Sequence, residues 1–174
     1  VLISGHTGFK GSWLSLWLKK LGANVSGISI NIPTRPSHFV VANLSDQIDD
    51  HRIDVRDSES VRHIFKSIQP DFVFHLAAQA LVRTSYENPV ETMMTNAIGS
   101  ANILDALRSI DKPVTAVMIT SDKAYDNLEW VWGYRETDRL GGKDPYSASK
   151  GMAELAIRCY IDSFFSSSDS NVRV

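Results

Sequence analysis

The chain has 174 residues, a net charge of −2 and an ordinary hydrophobic content of 43%. That length suits one domain with a sizeable core, and the near-balanced charge excludes a general attraction to nucleic acid or to an anionic membrane. The single cysteine, Cys159, excludes an internal disulfide and fits a reducing, cytoplasmic setting. The five histidines lack metal-ligand spacing, and no apolar run approaches the ~20 residues that span a bilayer.

Val1-Leu2-Ile3-Ser4 reads as a short buried strand. Gly5-His6-Thr7-Gly8-Phe9-Lys10-Gly11 then turns into a helix whose apolar positions 13, 14, 17, 18 and 21 share one face. Strand, glycine turn and helix N-terminus form a phosphate cradle, because glycines let the backbone approach an anion and free helical N–H groups point at it. The glycines are three apart, GxxGxxG, which differs from the GxGxxG dinucleotide fingerprint. Gly22 ends the helix, residues 24–30 read as a second strand, and Pro33 and Pro36 mark a loop. Residues 38–50 suggest a short helix and turn, and 51–55 a third strand.

Asp57 or Ser58 is expected to cap a helix running through Ile68, with Ile64, Phe65 and Ile68 inward. The continuous apolar run 72–76 fits a strand buried on both faces. Residues 77–89 read as a loop, 90–110 as a long helix with Ile98, Ala101, Leu104 and Leu107 inward, and 114–120 as another buried strand. A long loop, 121–145, precedes a helix over 146–165 and a last strand over 171–174. Alternating strands and helices predict an α/β, Rossmann-like, doubly wound parallel sheet with helices on both faces, its ligand site at the strands' carboxyl ends. The sequence opens inside a strand without an initiator Met and stops as another strand begins, so residues 1–174 are expected to be one dinucleotide-binding domain of a longer protein.

The carboxyl ends carry the chemistry-bearing residues. Asp54-Val55 puts an acid where it could meet an adenine amino group or cap the next helix. Ala77-Ala78-Gln79 offers small residues against which a flat ring could pack, and Arg83 and Ser85 follow in the same loop. Thr120-Ser121-Asp122-Lys123 sets a hydroxyl, an acid and a base in a row. Tyr146-Ser-Ala-Ser-Lys150 places a tyrosine and a lysine on one helix face, where the ammonium makes tyrosinate a usable base near neutrality. No acid follows strand two. Asn31 could bond a ribose, Arg35 could accept a 2′-phosphate, and the residues leave NAD or NADP open. His6 and Lys10 face either a pyrophosphate or solvent, and Trp130 and Trp132 either stack on a ligand or shield core.

Together GHTGFKGSWLSLWL, HLAAQALVRTSYENP, TSDKAYDN, EWVWGYRE and DPYSASKG resemble the extended short-chain dehydrogenases/reductases, and among them the nucleotide-sugar 4,6-dehydratases. Lys10, Asp122-Lys123 and the 129–136 stretch resemble the branch acting on CDP-glucose. The resemblance implies NAD as cofactor, held by Gly5 to Gly11, Asn31, Asp54, Val55, Leu76 to Gln79, Asn96, Thr120, Tyr146 and Lys150. It implies that Tyr146, helped by Lys150 and Ser121, takes the sugar 4-hydroxyl proton as hydride leaves C4. Asp122 then acts as acid and Lys123 as base in expelling the 6-hydroxyl, and hydride returns to C6. The related dTDP-glucose enzymes carry Asp-Glu where this chain has Asp122-Lys123, and a lysine base requires burial or a neighbouring cation. Arg83, Ser85, Ser121, Asp122 and Lys123 are the implied substrate contacts. The resemblance further implies a cytoplasmic role in deoxysugar synthesis, no metal, and a homodimer through helices 90–110 and 146–165. An epimerase or plain dehydrogenase on the same scaffold, and a non-catalytic dinucleotide-binding module, are the alternative readings.

Overall fold

The structure, a computed structural model, describes residues 1–174. Six parallel strands form one sheet: β1 (Leu2–Ser4), β2 (Ser26–Ile28), β3 (Asp49–His51), β4 (Phe72–His75), β5 (Val114–Met118) and β6 (Val172–Arg173). Their order is β3-β2-β1-β4-β5-β6, so the winding reverses at β1, where Ile3 lies opposite both Gly27 and Phe74. Parallel neighbours need crossovers, and the right-handed rule sends the helices of the two halves to opposite faces. One half holds α1 (Phe9–Lys20) and α2 (His38–Val41). The other holds α3 (Ser58–Ile68), α4 (Val82–Glu87), α5 (Pro89–Met93), α6 (Gly99–Leu107) and α7 (Pro145–Tyr160). This is the doubly wound sheet expected from the sequence, with its crevice at the carboxyl ends of β1 and β4. No helix is long and apolar enough to cross a membrane.

The main core joins the sheet to α3, α6 and α7. Asp57 caps α3 by accepting the N–H groups of Glu59 and Ser60, and Val61, Ile64 and Phe65 then point inward. They meet Leu2, Ile28, Val73, Ile103, Leu104, Leu107, Val114 and Ala116 in one cluster. Phe65 and Leu107 are fully buried, each worth about 2 kcal/mol of hydrophobic transfer.

Several sequence expectations are corrected by tertiary packing. β4 and β5 are buried on one face only: Val73 and His75 point inward, while Phe72 is 49% exposed and Val117 41%. Their other face lies beyond α1, which packs on β1. On α1 the buried residues are Gly11, Ser12 and Ser15; of the apolar face Leu14 and Leu18 are half-buried and Trp13, Trp17 and Leu21 are exposed, Trp17 by 65%. Close approach of α1 to the glycine turn admits only small side chains on the inner face. The third strand sits at Asp49–His51 rather than 51–55, because Asp49 N–H bonds Val25 O along the sheet edge while Val55 leaves it to enter the core. The helix expected over 90–110 is α5 joined to α6 by a π turn, Met94–Ile98. The turn's wider winding leaves Ile98 exposed and buries Asn96, Ser100 and Ile103, while Leu104 and Leu107 of the expected stripe are fully buried. The expected loop 77–89 contains α4.

Candidate active site

The glycine turn forms as its residue types require. Gly5 adopts φ +76°, and a Cβ there would stand 2.7 Å from Ala77 N. A Cβ on Gly11 would stand 2.2 Å from the Gly5 carbonyl oxygen. Gly8 precedes α1 with no side-chain cap, and no acid lies in the first turn, so the leading N–H groups are left for an anion. This concave backbone, open to a phosphate and closed to a side chain, fits the diphosphate of a dinucleotide. Phe9 and Lys10 project from the first turn, exposed, and with Trp13, Leu14, Trp17 and Leu76 they line an apolar groove of about 640 Å³.

Thr7 is buried, its hydroxyl donating to the Asn31 carbonyl at 2.6 Å, which ties the turn to the segment after β2. His6 is also buried. Its Nε2 lies 2.8 Å from Asp50 Oδ1 and its ring meets Phe39 edge-on. Burial, only partly offset by Asp50, pushes the imidazole below its ordinary pKa. The ring thus bolts the turn to β3, and the option of an imidazole facing a pyrophosphate is set aside. Asn31 and Arg35 are exposed, Arg35 beside a hollow of about 350 Å³ with Ile32, Pro36, Ser37, Val40 and Val41.

The other strand ends are more varied. Partial burial opposes the charge on Asp54, but hydrogen bonds from Arg56 outweigh it and hold the carboxyl below its ordinary pKa. Both its oxygens are taken by Arg56, and Val55 is packed in the core. After β4, the Leu76 and Ala77 N–H groups donate to Ser4 Oγ, which holds Ala77 and Ala78 half-buried beside Gly5. Asn96 is buried in the π turn. Its Oδ1 accepts Gln79 N–H, and its Nδ2 donates to Gln79 O and Ser149 Oγ. Asn96 therefore clamps the post-β4 segment to α7 with its side chain fully engaged. Arg83 is 94% exposed and reaches Glu87, whereas Ser85 is fully buried. Ser85 Oγ donates to Val82 O and accepts the Tyr146 N–H at 3.1 Å. Ser85 thereby tethers the first turn of α7.

At the end of β5 the Ser121 hydroxyl donates to Asp122 Oδ1 and accepts the Lys123 N–H, opening a 3₁₀ turn over Asp122–Ala124 that packs against α7. Asp122 and Lys123 are exposed, so the burial expected for a lysine base is not found in these residues. Asp144 and Pro145 start α7, with Asp144 accepting the Ser147 N–H and hydroxyl. Tyr146 is half-buried and Lys150 is 6% exposed. Burial, aided by Lys10, pushes the Lys150 pKa down against the pull of Glu154. The Thr120 hydroxyl donates to Glu154 Oε1. The fold thus gathers Ser121, Asp122, Lys123, Tyr146 and Lys150 around the turn and the first two turns of α7.

Between them runs the aromatic loop, closed at its neck by the Tyr125–Leu140 bridge and the Gly141 N–H to Ala124 O bond. Trp130 stacks on Trp132 and meets Tyr134 at a tilt. Beneath the site His75 is completely buried, with Nδ1 at 2.6 Å from Ser4 Oγ and Nε2 at 3.0 Å from Ser100 Oγ. Desolvation, and secondarily Lys150, push its pKa down to about 3. Sequence reasoning missed His75, Ser149, Asp144 and Glu154. Asp144-Pro145 carried a cap signature and Glu154 a one-turn spacing from Lys150, but the His75 network carried no local signal.

The family model for GDP-mannose 4,6-dehydratase matches residues 2–167. CDP-glucose 4,6-dehydratase of Salmonella typhimurium is 51% identical over 95% of this chain and 46% of its own length. Among solved structures, UDP-glucose 4-epimerase of Thermotoga maritima superposes with a TM-score of 0.81 at 27% identity, over 94% of this chain and 51% of the other. The NAD complex of UDP-glucose 4-epimerase of Thermus thermophilus gives 0.77 at 29% identity, over 94% and 51%. The chain spans about half the length of the curated relatives it matches. By its matched residues, this chain belongs to the GDP-mannose 4,6-dehydratase family.

Proposed function

We propose that this chain is the dinucleotide-binding domain of an NAD-dependent nucleotide-sugar 4,6-dehydratase acting on CDP-glucose. The observation that carries the reading is the set Ser121, Asp122, Lys123, Tyr146 and Lys150 at one sheet end beside a cradle suited to a diphosphate. The 51% identity to a CDP-glucose 4,6-dehydratase supports the substrate choice. The turn Gly5–Gly11 would hold the NAD diphosphate, with Ala77, Ala78 and Lys150 toward the nicotinamide end and Asn31 toward the adenosine end. Bound there, NAD supplies hydride acceptance from the sugar C4 and hydride return to C6.

Tyr146, with Lys150 one turn behind it, takes the 4-hydroxyl proton, and Ser121 orients that hydroxyl. The C4 ketone acidifies C5–H. Lys123 takes the C5 proton and Asp122 gives a proton to the departing 6-hydroxyl, so water leaves across C5 and C6. Asp122 and Lys123 are exposed, and in this reading the substrate itself, or a further domain gripping its nucleotide, supplies their desolvation. We further infer a cytoplasmic homodimer: Val90, Met94 and Ile98 on α5 and its π turn, and Met152 and Leu155 on α7, leave apolar faces exposed.

An epimerase is the second reading, favoured by the superposition on two UDP-glucose 4-epimerases. An epimerase has no need of an acid and base to expel a 6-hydroxyl, and Asp122-Lys123 weighs against it. The test uses the full-length polypeptide carrying this sequence, with NAD and CDP-glucose deuterated at C4. Deuterium at C6 of a 4-keto-6-deoxy product is expected. Deuterium retained at C4 of an epimerised sugar, or accumulating in reduced cofactor, would overturn the dehydratase reading.

A further inference from the structure

Lys150 occupies an unusual electrostatic position. It is 6% exposed and has no carboxylate within ion-pair distance. Three neighbours bear on its charge: Lys10 from the first turn of α1, His75 from β4, and Glu154 one turn further along α7. Lys10 repels it, and His75 is held neutral by burial. Other charges on elements packed against α7 are engaged elsewhere or exposed. Glu91 pairs with Arg56, Asp105 with Arg62 and Arg108, and Glu87 with Arg83, while Asp122 and Lys123 face solvent. Glu154 is therefore the one anion positioned to offset the cost of burying this ammonium.

The Glu154 carboxylate has an anchor on a neighbouring segment. Its Oε1 accepts the hydroxyl of Thr120, the residue immediately before Ser121. That bond joins α7 to the loop at the end of β5 and restrains the carboxylate one turn from Lys150. A freely rotating glutamate would turn toward water, as charged side chains on helix surfaces do. Tyr146 precedes Lys150 by one turn and Glu154 follows it by one turn, so the three lie along one stripe of α7.

We propose that Glu154 is a positioning residue that keeps the buried Lys150 side chain charged, and that Thr120 anchors its carboxylate for that purpose. This rests on the reading of Tyr146 and Lys150 as the proton-transfer pair, because a tyrosine base needs an ammonium beside it rather than a neutral amine. Had Glu154 and Thr120 served only to staple α7 to β5, removing the charge while keeping the hydrogen bond would leave Lys150 unaffected.

The protein is labelled with [ε-¹³C]lysine and the Lys150 resonance, assigned by its loss in Lys150→Met, is titrated with pH in the absence of substrate. Glu154→Gln keeps an acceptor for the Thr120 hydroxyl and removes the charge, and its Lys150 midpoint is expected to fall by about one pH unit. Thr120→Ser keeps the hydroxyl and should match wild type. Thr120→Val frees the carboxylate and should fall between the two. An unmoved midpoint in Glu154→Gln, with only the melting temperature lowered, would overturn the proposal. Should Glu154→Gln fail to fold, the comparison of Thr120→Val with Thr120→Ser decides in the same way: a lower midpoint in Thr120→Val supports the proposal and equal midpoints refute it. No substrate is used, so absence of turnover in the labelling experiment counts against the proposed reaction alone and leaves the Lys150 result standing.

Discussion

The buried imidazole of His75 makes stability depend on pH in a way that can be worked out beforehand. Desolvation holds its folded pKa at about 3, against about 6.5 in the unfolded chain. As pH falls below the unfolded value, the unfolded chain takes up a proton that the folded chain refuses, so stability is lost from there down to the folded value. Integrated from about pH 7.5 to about pH 5, the loss is about 2 kcal/mol, rising toward about 5 kcal/mol near pH 3. His6, also depressed by burial, adds a loss of the same sign. Asp54 and Asp144 have lowered carboxyl pKa values, so their contribution is lost only as pH falls through about 4 and below, beneath this window. Urea unfolding at the two pH values and constant ionic strength gives the total. The share due to His75 is isolated with His75→Gln, whose amide can still bond the Ser4 and Ser100 hydroxyls. That variant should be less stable at pH 7.5 yet lose about 2 kcal/mol less than wild type on acidification. Equal losses in the two proteins would refute the assignment of a neutral, desolvated imidazole.

Gly11→Ala places a methyl 2.2 Å from a backbone oxygen that has no room to move, so a stability loss of about 2 kcal/mol and abolished NAD binding by calorimetry are expected. Unchanged NAD affinity would show that the turn is not the cradle. Ser85→Ala leaves the Tyr146 N–H without its partner at the start of α7, for an expected loss of about 1 kcal/mol in thermal unfolding. A rise in KM with no change in melting temperature would instead restore Ser85 to the substrate. Asp144→Ala removes the cap of α7, with an expected loss of about 1 kcal/mol at neutral pH that shrinks as wild-type Asp144 is itself protonated in acid. A pH-independent difference would contradict the role of the ionised carboxylate.

What the sequence made legible was whatever local chemistry encodes. Of the two caps read, Asp57 or Ser58, Asp57 caps the helix, because an acid two and three residues before free N–H groups is sufficient cause. The winding followed from strand and helix alternation, and the site's place followed from the winding. The failures share another cause. The apolar face of α1 was read, but not that its tryptophans point outward, because the inner face is set by how closely a glycine turn approaches, which hydropathy does not measure. The third strand was displaced because Asp49 and Asp50 pair through their backbones at an edge, where side-chain pattern is silent. Ser85 read as a ligand contact, but its hydroxyl meets an N–H 61 residues away. A π turn has no composition of its own, so Ile98 was read as inward although it is exposed, while Leu104 and Leu107 further along α6 are buried as expected.

The closed neck at Tyr125, Leu140 and Gly141 separates two tasks within one loop. Residues 126–139 hang beyond a pinched base, while Ser121–Lys123 and Tyr146 stand on either side of that base. The closure cost of such a loop grows only slowly with length, so the hanging part can lengthen, shorten or change its aromatic content with little effect on the reacting groups. Descendants of one scaffold could rewrite this stretch while Ser121–Lys123 and Tyr146 keep their places at its base.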